Sequence, residues 1–460
     1  MSTKYPALTR SLLSASLALS IALSSAVPIY AAAATTTATS TATTAASSEA
    51  KLFLKEKFGI TFTTSTITKG QFIKAVADAL KLEQPEELPA FTDLAETSPY
   101  YAAAAALHKQ GILTSTTVNA EQKLTAASAL YIAVKAAGLQ ELAHTYPQAK
   151  ITAGLKKLNI PASSLGTAAS QELAAAVDTG LLPASQYNAI KGKGLTPQLA
   201  ETLIVQILSF KGEYKHYIGS ISDSTIYAQL NDAFKTSNII QAPELQTIVD
   251  TALKNNLVTG YNLKDARFDA NFTPSLSLTY GHSNLLHVIQ LIGLLRSEGI
   301  DAKVQLEPKT SAYVFMKEWG EPPTKDTENY KVVQIENGNY ITYAKEFDIA
   351  FEFNNAADKA RFQPIILQYA KKDKADQPGL IYGSWFQPLY YSSTKLDEYE
   401  VITNNKITGT GYYYAQSFSL NDQSKNIVEG FHKLDPAVNI KSYTFWVDKP
   451  FHNYLNGEGL

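Results

Sequence analysis

The chain has 460 residues, 45% hydrophobic and 10% aromatic, with a formal net charge of -2 and no cysteine. This is enough apolar material for two or three folded units and excludes a disordered chain. The near-neutral balance removes the electrostatic excess that nucleic acid or an anionic membrane calls for, and the missing cysteine removes disulfides, thiol chemistry and cysteine-linked lipid.

At the N-terminus Lys4 and Arg10 precede the apolar run Ser11 to Leu23, and small residues follow around Val27 to Ala34. The pattern is that of a secretory signal peptide over residues 1–31, too short to span a bilayer. An exported protein is expected, without a transmembrane segment after cleavage. Residues 32–50, with the tract ATTTATSTATTAASSEA from Ala34 to Ala50, lack apolar periodicity and read as a flexible linker.

Residues 51–211 are rich in Ala and Leu, and apolar residues at three- and four-residue spacing predict a mainly α region. A layout of Phe-x-Asp, helix, Gly-Ile-Leu, loop, Leu-Thr and second helix runs from Phe91 to Leu139. Parts of it recur at Ile67 to Leu82, at Ala174 to Pro183 and at Leu195 to Leu208, so three copies are expected. Thr68, Thr125 and Thr196 each directly precede an apolar-periodic helix and are predicted N-caps.

These motifs resemble the S-layer homology (SLH) family, whose three repeats bind secondary cell-wall polysaccharide non-covalently and hold exported proteins on Gram-positive cells. The resemblance implies an anchor. It places a polymer-gripping arginine directly after each threonine, where this chain has Lys69, Ala126 and Pro197, so only Lys69 keeps a positive charge. Lys69 and Asp93 of the Phe-x-Asp motif are the implied polymer-binding residues. Asp93 also reads as a turn-forming carboxylate before a helix.

Residues 220–460 change character, with Tyr-, Phe-, Val- and Ile-rich alternating runs that predict an α+β domain. Its clearest element is Tyr280 to Val304, YGHSNLLHVIQLIGLLRSEGIDAKV. Leu285, Val288, Ile289, Ile292 and Leu295 mark one helix face, Leu286, Leu291 and Leu294 widen it, and a glycine stop precedes a strand. Ser283 or Asn284 is the predicted N-cap.

This helix and strand resemble the core of transglutaminase-like cysteine enzymes near 280–315. The resemblance implies a nucleophilic cysteine where Asn284 stands and a histidine where Ser311 stands. Neither residue supplies the thiolate or the base that chemistry needs. The implied domain is catalytically inactive. Ser283 beside His282 and His287 offers nucleophile and base types, but no Gly-x-Ser-x-Gly elbow surrounds it.

No metal signature occurs among the seven histidines, and Asp265 and Asp269 lack the remaining ligands of a calcium loop. No cofactor is expected. Asp348 and Glu352 supply carboxylates whose separation the sequence does not fix. The expected fold class is multidomain: mainly α helical SLH-like repeats, then an α+β domain with a transglutaminase-like, papain-type core. The expected function is a non-catalytic, cell-wall-associated surface protein that binds or scaffolds. Its expected partner is secondary cell-wall polysaccharide, with a cell-surface protein or peptide as a further candidate. The alternative is a cell-wall-modifying hydrolase or transferase using the C-terminal domain.

Overall fold

The computed structural model describes residues 48–315, 320–321, 325–371, 381–382 and 388–458. The expected signal peptide, and the expected linker up to residue 47, lie outside the described residues. Among the described residues no helix is long and apolar enough to cross a membrane.

A helix through residues 48–58 (α1) is followed by α2 (Lys69–Ala79), α3 (Tyr101–Lys109), α4 (Ala126–Ala136) and α5 (Gln140–His144). Then come α6 (Gln148–Lys157), α7 (Thr167–Asp178) and α8 (Pro197–Phe210). Thr68, Thr125 and Thr196 cap α2, α4 and α8, each hydroxyl accepting the backbone N–H three residues on, from Gln71, Ser128 and Leu199. At α2 the Gln71 side chain accepts the Thr68 N–H in return, closing a capping box.

The residues just before these caps form a ring. The Ile67 N–H donates to the Leu195 carbonyl (3.1 Å), Leu124 to Ile67 (2.9 Å) and Leu195 to Leu124 (2.7 Å). All three side chains are buried, so each segment satisfies its neighbour's buried backbone without a sheet. The helices that precede these segments, α1, α3 and α7, each stop at a glycine in the left-handed region: Gly59 (φ 68), Gly111 (φ 70) and Gly180 (φ 78). A residue without Cβ takes that conformation freely, and the chain then folds back onto its helix, as Ile60 N–H does onto the Leu54 carbonyl. Helix α1 thus stands before α2 as α3 stands before α4 and α7 before α8, and α5 and α6 lie between α4 and α7.

The buried core of this region ends at Leu208, and the next begins at Ile221. Beyond it lie β1 (Gly219–Ser220), α9 (Ile226–Thr236), α10 (Pro243–Lys254), β2 (Gly260–Asp265), β3 (Ser277–His282) and α11 (Leu285–Ser297). Next are β4 (Ala302–Phe315), β5 (Tyr330–Gln334), β6 (Tyr340–Phe353), α12 (Ala356–Tyr369), β7 (Ala370–Lys371), β8 (Ile381–Tyr382) and β9 (Tyr390–Ser392). The last elements are β10 (Glu400–Thr408), β11 (Tyr413–Ser419), α13 (Ser424–Leu434), β12 (Asn439–Val447) and α14 (Lys449–Leu455).

The sheet runs β4-β2-β11-β10-β12-β9-β3-β6, and β6 returns to β4, closing an eight-stranded antiparallel barrel. Strands β4 and β6 pair without a break from Ala302 opposite Phe353 to Phe315 opposite Tyr340. Closure leaves no open edge among these eight strands.

The expected papain-type α+β core is thus corrected. The strand after α11, where the resemblance placed the start of that core's sheet, belongs instead to a closed ring of eight antiparallel strands. The expected arrangement of SLH-like repeats followed by a transglutaminase-like domain gives way to a helical region followed by a closed antiparallel barrel. The barrel also reverses the usual sidedness of a domain core. Its outward residues, among them Val304, Leu306, Phe347, Ile349 and Phe351, pack against α11 and α12, while Leu263, Ile341 and Ile407 pack in a cluster with residues of α10 and α13. Its inward residues include Lys264, Glu307, Lys309 and Asp348.

Candidate functional site

In the helical region the segment before α4 runs past the start of α2. The Lys69 and Gly70 N–H groups donate to the carbonyls of Gln122 and Ala120, 2.9 and 2.7 Å. Gly70 is required there, because a Cβ would lie 2.5 Å from the Tyr100 ring. The Asp93 carboxylate accepts the Val118 and Asn119 N–H groups at 2.7 and 2.6 Å, pinning the same loop. Those two bonds hold the Asp93 carboxyl below its usual range.

Between this loop and α4 is a groove of about 400 Å³. Lys69, Lys123 and Lys135 line it together with Asn119, Gln122, Thr125, Ser128 and Tyr131, and no carboxylate is among its lining residues. None of the three lysines forms an ion pair among the described residues. Burial lowers the Lys69 pKa from the ordinary lysine value, and the Asp93 charge partly opposes this. Lys69 thus lies in the groove, whereas Asp93 shapes its wall. Lys123, Tyr131 and Lys135 were not singled out from sequence, although Ser128, Tyr131, Ile132 and Lys135 share one helix face by their spacing.

In the barrel, Asn284 is the N-cap of α11, its side-chain oxygen accepting the Leu286 N–H. Ser311 points inward from β4, where its hydroxyl donates to Asn262 (2.7 Å) and to Glu346. Asn284 and Ser311 do not hydrogen bond to each other and share no partner. His282 Nδ1 accepts the Asn284 N–H at 2.8 Å and its Nε2 lies 3.0 Å from His287 Nδ1. Burial pushes the His287 pKa down. Ser283 is exposed, and it hydrogen bonds to neither histidine.

The barrel interior holds a buried charge network absent from the sequence-based expectations. Lys264 Nζ lies 2.5 Å from Glu307 and 2.9 Å from Asp348, and Lys309 Nζ lies 2.6 Å from the other Asp348 oxygen. The Tyr391 hydroxyl donates to Asp348 at 2.6 Å. Against the opposing effect of burial, the two ammonium groups hold the Asp348 carboxyl well below the usual carboxylate range. A second cluster joins this barrel to the helical region: Glu352 lies 2.6 Å from Lys215 and 3.1 Å from Lys303, and both lysines also reach Glu49 of α1. The signal for these residues was the alternation Lys303, Gln305, Glu307, Lys309, Ser311, which on an open sheet would face water. Asp348 and Glu352 face the same way but serve different clusters. Asp265 pairs with Arg267 and Asp269 accepts the Tyr414 hydroxyl, and among the described residues no group of three or more acidic, histidine or cysteine side chains could hold a metal ion.

Compared with known proteins, the chain matches no protein-family model and no curated protein.

Proposed function

We propose that this is an exported cell-surface protein, held non-covalently on an anionic cell-wall polysaccharide through the groove beside Lys69. One observation carries this reading: three lysines that form no ion pair among the described residues face one groove together with hydroxyls, amides and Tyr131, and no carboxylate is among its lining residues. An anionic polysaccharide offers the complementary chemistry. Its phosphate or carboxylate groups take charge-assisted hydrogen bonds from the ammonium groups, and its hydroxyls exchange bonds with Asn119, Gln122 and Thr125. Tyr131 supplies a surface with an apolar body and a polar tip. The resemblance of the Thr-capped helices to SLH repeats supports the same ligand class. Nothing in such anchoring requires a bond to be made or broken.

The test is a pull-down of the full chain on purified anionic cell-wall polysaccharide. Wild type binds, the binding weakens as salt rises, and Lys69→Ala lowers affinity at least about tenfold, the loss of one charge-assisted contact. Absence of binding by wild type at low salt would refute the proposal. Asp93→Asn also weakens binding, by loosening the loop that carries Val118 and Asn119.

A further inference from the structure

On the outer face of the barrel, α12 packs Phe362 and Ile366 into the core, and Lys359, one turn before, is only 4% exposed. Three neutral oxygens surround its amine: the Pro274 carbonyl at 3.3 Å, Ser392 Oγ at 3.1 Å and Thr394 Oγ1 at 2.8 Å. Among the described residues no carboxylate lies within ion-pair distance of it, and Glu56 acts on it only from afar. A buried ammonium without a counter-ion is costly and tends to give up its proton instead. Burial pushes the Lys359 pKa down to about 8, inside the range in which a lysine serves as a general base near neutral pH.

The Thr394 hydroxyl completes the arrangement. Thr394 and Lys359 both line a cavity of about 850 Å³, whose apolar wall includes Leu278, Pro364, Leu367 and Leu396. Ser392 Oγ lies 3.3 Å from Thr394 Oγ1, so the amine and both hydroxyls form a closed triangle, and Ser392 is itself buried. Glu398, on the same wall, is held at φ 68, a left-handed conformation that a residue with a Cβ adopts at some cost. A nucleophile within hydrogen-bond reach of a base, with the base oriented by further groups, is the arrangement that activates hydroxyl nucleophiles.

We propose that Thr394 and Lys359 are a nucleophile and general-base pair for acyl transfer, acting on an ester or amide whose acyl group is apolar. The neutral Lys359 amine takes the Thr394 hydroxyl proton as Thr394 Oγ1 bonds to the substrate carbonyl carbon. The carbonyl carbon's bond to the leaving alcohol or amine breaks, and the leaving group receives the proton from Lys359. Water then attacks the threonyl ester, Lys359 accepts the water proton, and the acid is released as that proton returns to Thr394 Oγ1. Ser392 and the Pro274 carbonyl orient the amine without touching substrate. This site lies on the barrel and is independent of the lysine groove.

The test is incubation of the full chain with p-nitrophenyl butyrate, followed by mass spectrometry of its peptides. A butyryl group on Thr394 is expected, formed at a rate that rises with pH around a midpoint near 8. Thr394→Ser retains the adduct, Thr394→Val abolishes it, and Lys359→Met slows its formation at least about a hundredfold. Butyrylation only of Lys359 or of surface lysines, no adduct together with no p-nitrophenol release, or a Thr394 adduct indifferent to Lys359→Met would each overturn the pair. Should Lys359→Met fail to fold by circular dichroism, the pH profile of wild type and the Thr394→Val result decide the matter together.

Discussion

The helical region and the barrel dispose of their charged side chains in opposite ways. In the helices Ala, Leu and Ile fill the interior, and ion pairs such as Lys74 with Asp78 are exposed at 48% and 42% of their side-chain surface. In the barrel Val304, Leu306, Phe347, Ile349 and Phe351 face outward under a layer of helices, and Lys264, Lys309 and Asp348 are enclosed at 3%, 1% and 2%. An exposed pair gains little, because water already solvates both partners. An enclosed one ties its partners together, since each charge has lost its water. The same residue types therefore carry different weight in the two halves.

The largest test of that contrast is Asp348→Ala. It leaves Lys264 and Lys309 buried without their shared carboxylate and is expected to destabilise the barrel by about 3–5 kcal/mol. Urea unfolding followed by tryptophan fluorescence reads this selectively, because Trp319, Trp385 and Trp446 all lie beyond the helical region. Acid gives a related result with a defined sign. The folded Asp348 pKa is depressed below its ordinary value, so the stability it contributes is fully present above about pH 4 and is lost as pH falls through the folded pKa. In Asp348→Asn the acid dependence of the fluorescence midpoint should shrink, and an unchanged dependence would remove Asp348 as its source.

Gly281→Ala should follow in size. The added Cβ would lie 2.9 Å from Lys309 Nζ and from the Pro388 carbonyl, and 3.0 Å from Asp348. Overpacking against these groups is expected to cost about 1–3 kcal/mol, measured in the same urea titration. In the helical half Thr68→Ala removes one side of the capping box and should cost about 1 kcal/mol, read from circular dichroism at 222 nm. The smallest effect is that of Lys74→Ala, which breaks an exposed pair one helical turn long and should change stability by less than about 0.5 kcal/mol. A larger loss there than at Gly281 would overturn the contrast between the two halves.

What the sequence disclosed was local. The caps at Thr68, Thr125, Thr196 and Asn284 depend on one hydroxyl or amide and the next few backbone N–H groups, and all four form. Helix α11 and the strand after it also form, although Leu286, assigned to its apolar face, is 56% exposed. Barrel closure was not legible, because it rests on pairing between strands far apart in the chain. Without it the alternating polar residues of β4 have no inside to face. Lys69 was legible from its place directly after a capping threonine, but Lys123 and Lys135 were not, because they join it in one groove only once the segment before α4 runs past the start of α2. Lys359 carries no sequence signal at all, since its hydroxyl partners come from β9 and the loop after it.

The backbone ring through Ile67, Leu124 and Leu195 has a consequence for how this protein is made. Helical regions normally assemble from near neighbours and fold early. Here the ring cannot close until residue 195 is synthesised, so the first two helix starts, already joined by the Leu124 bond to Ile67, emerge with the Ile67 N–H and the Leu124 carbonyl still waiting for Leu195. A nascent chain stopped short of Leu195 would present two capped helices and an open junction.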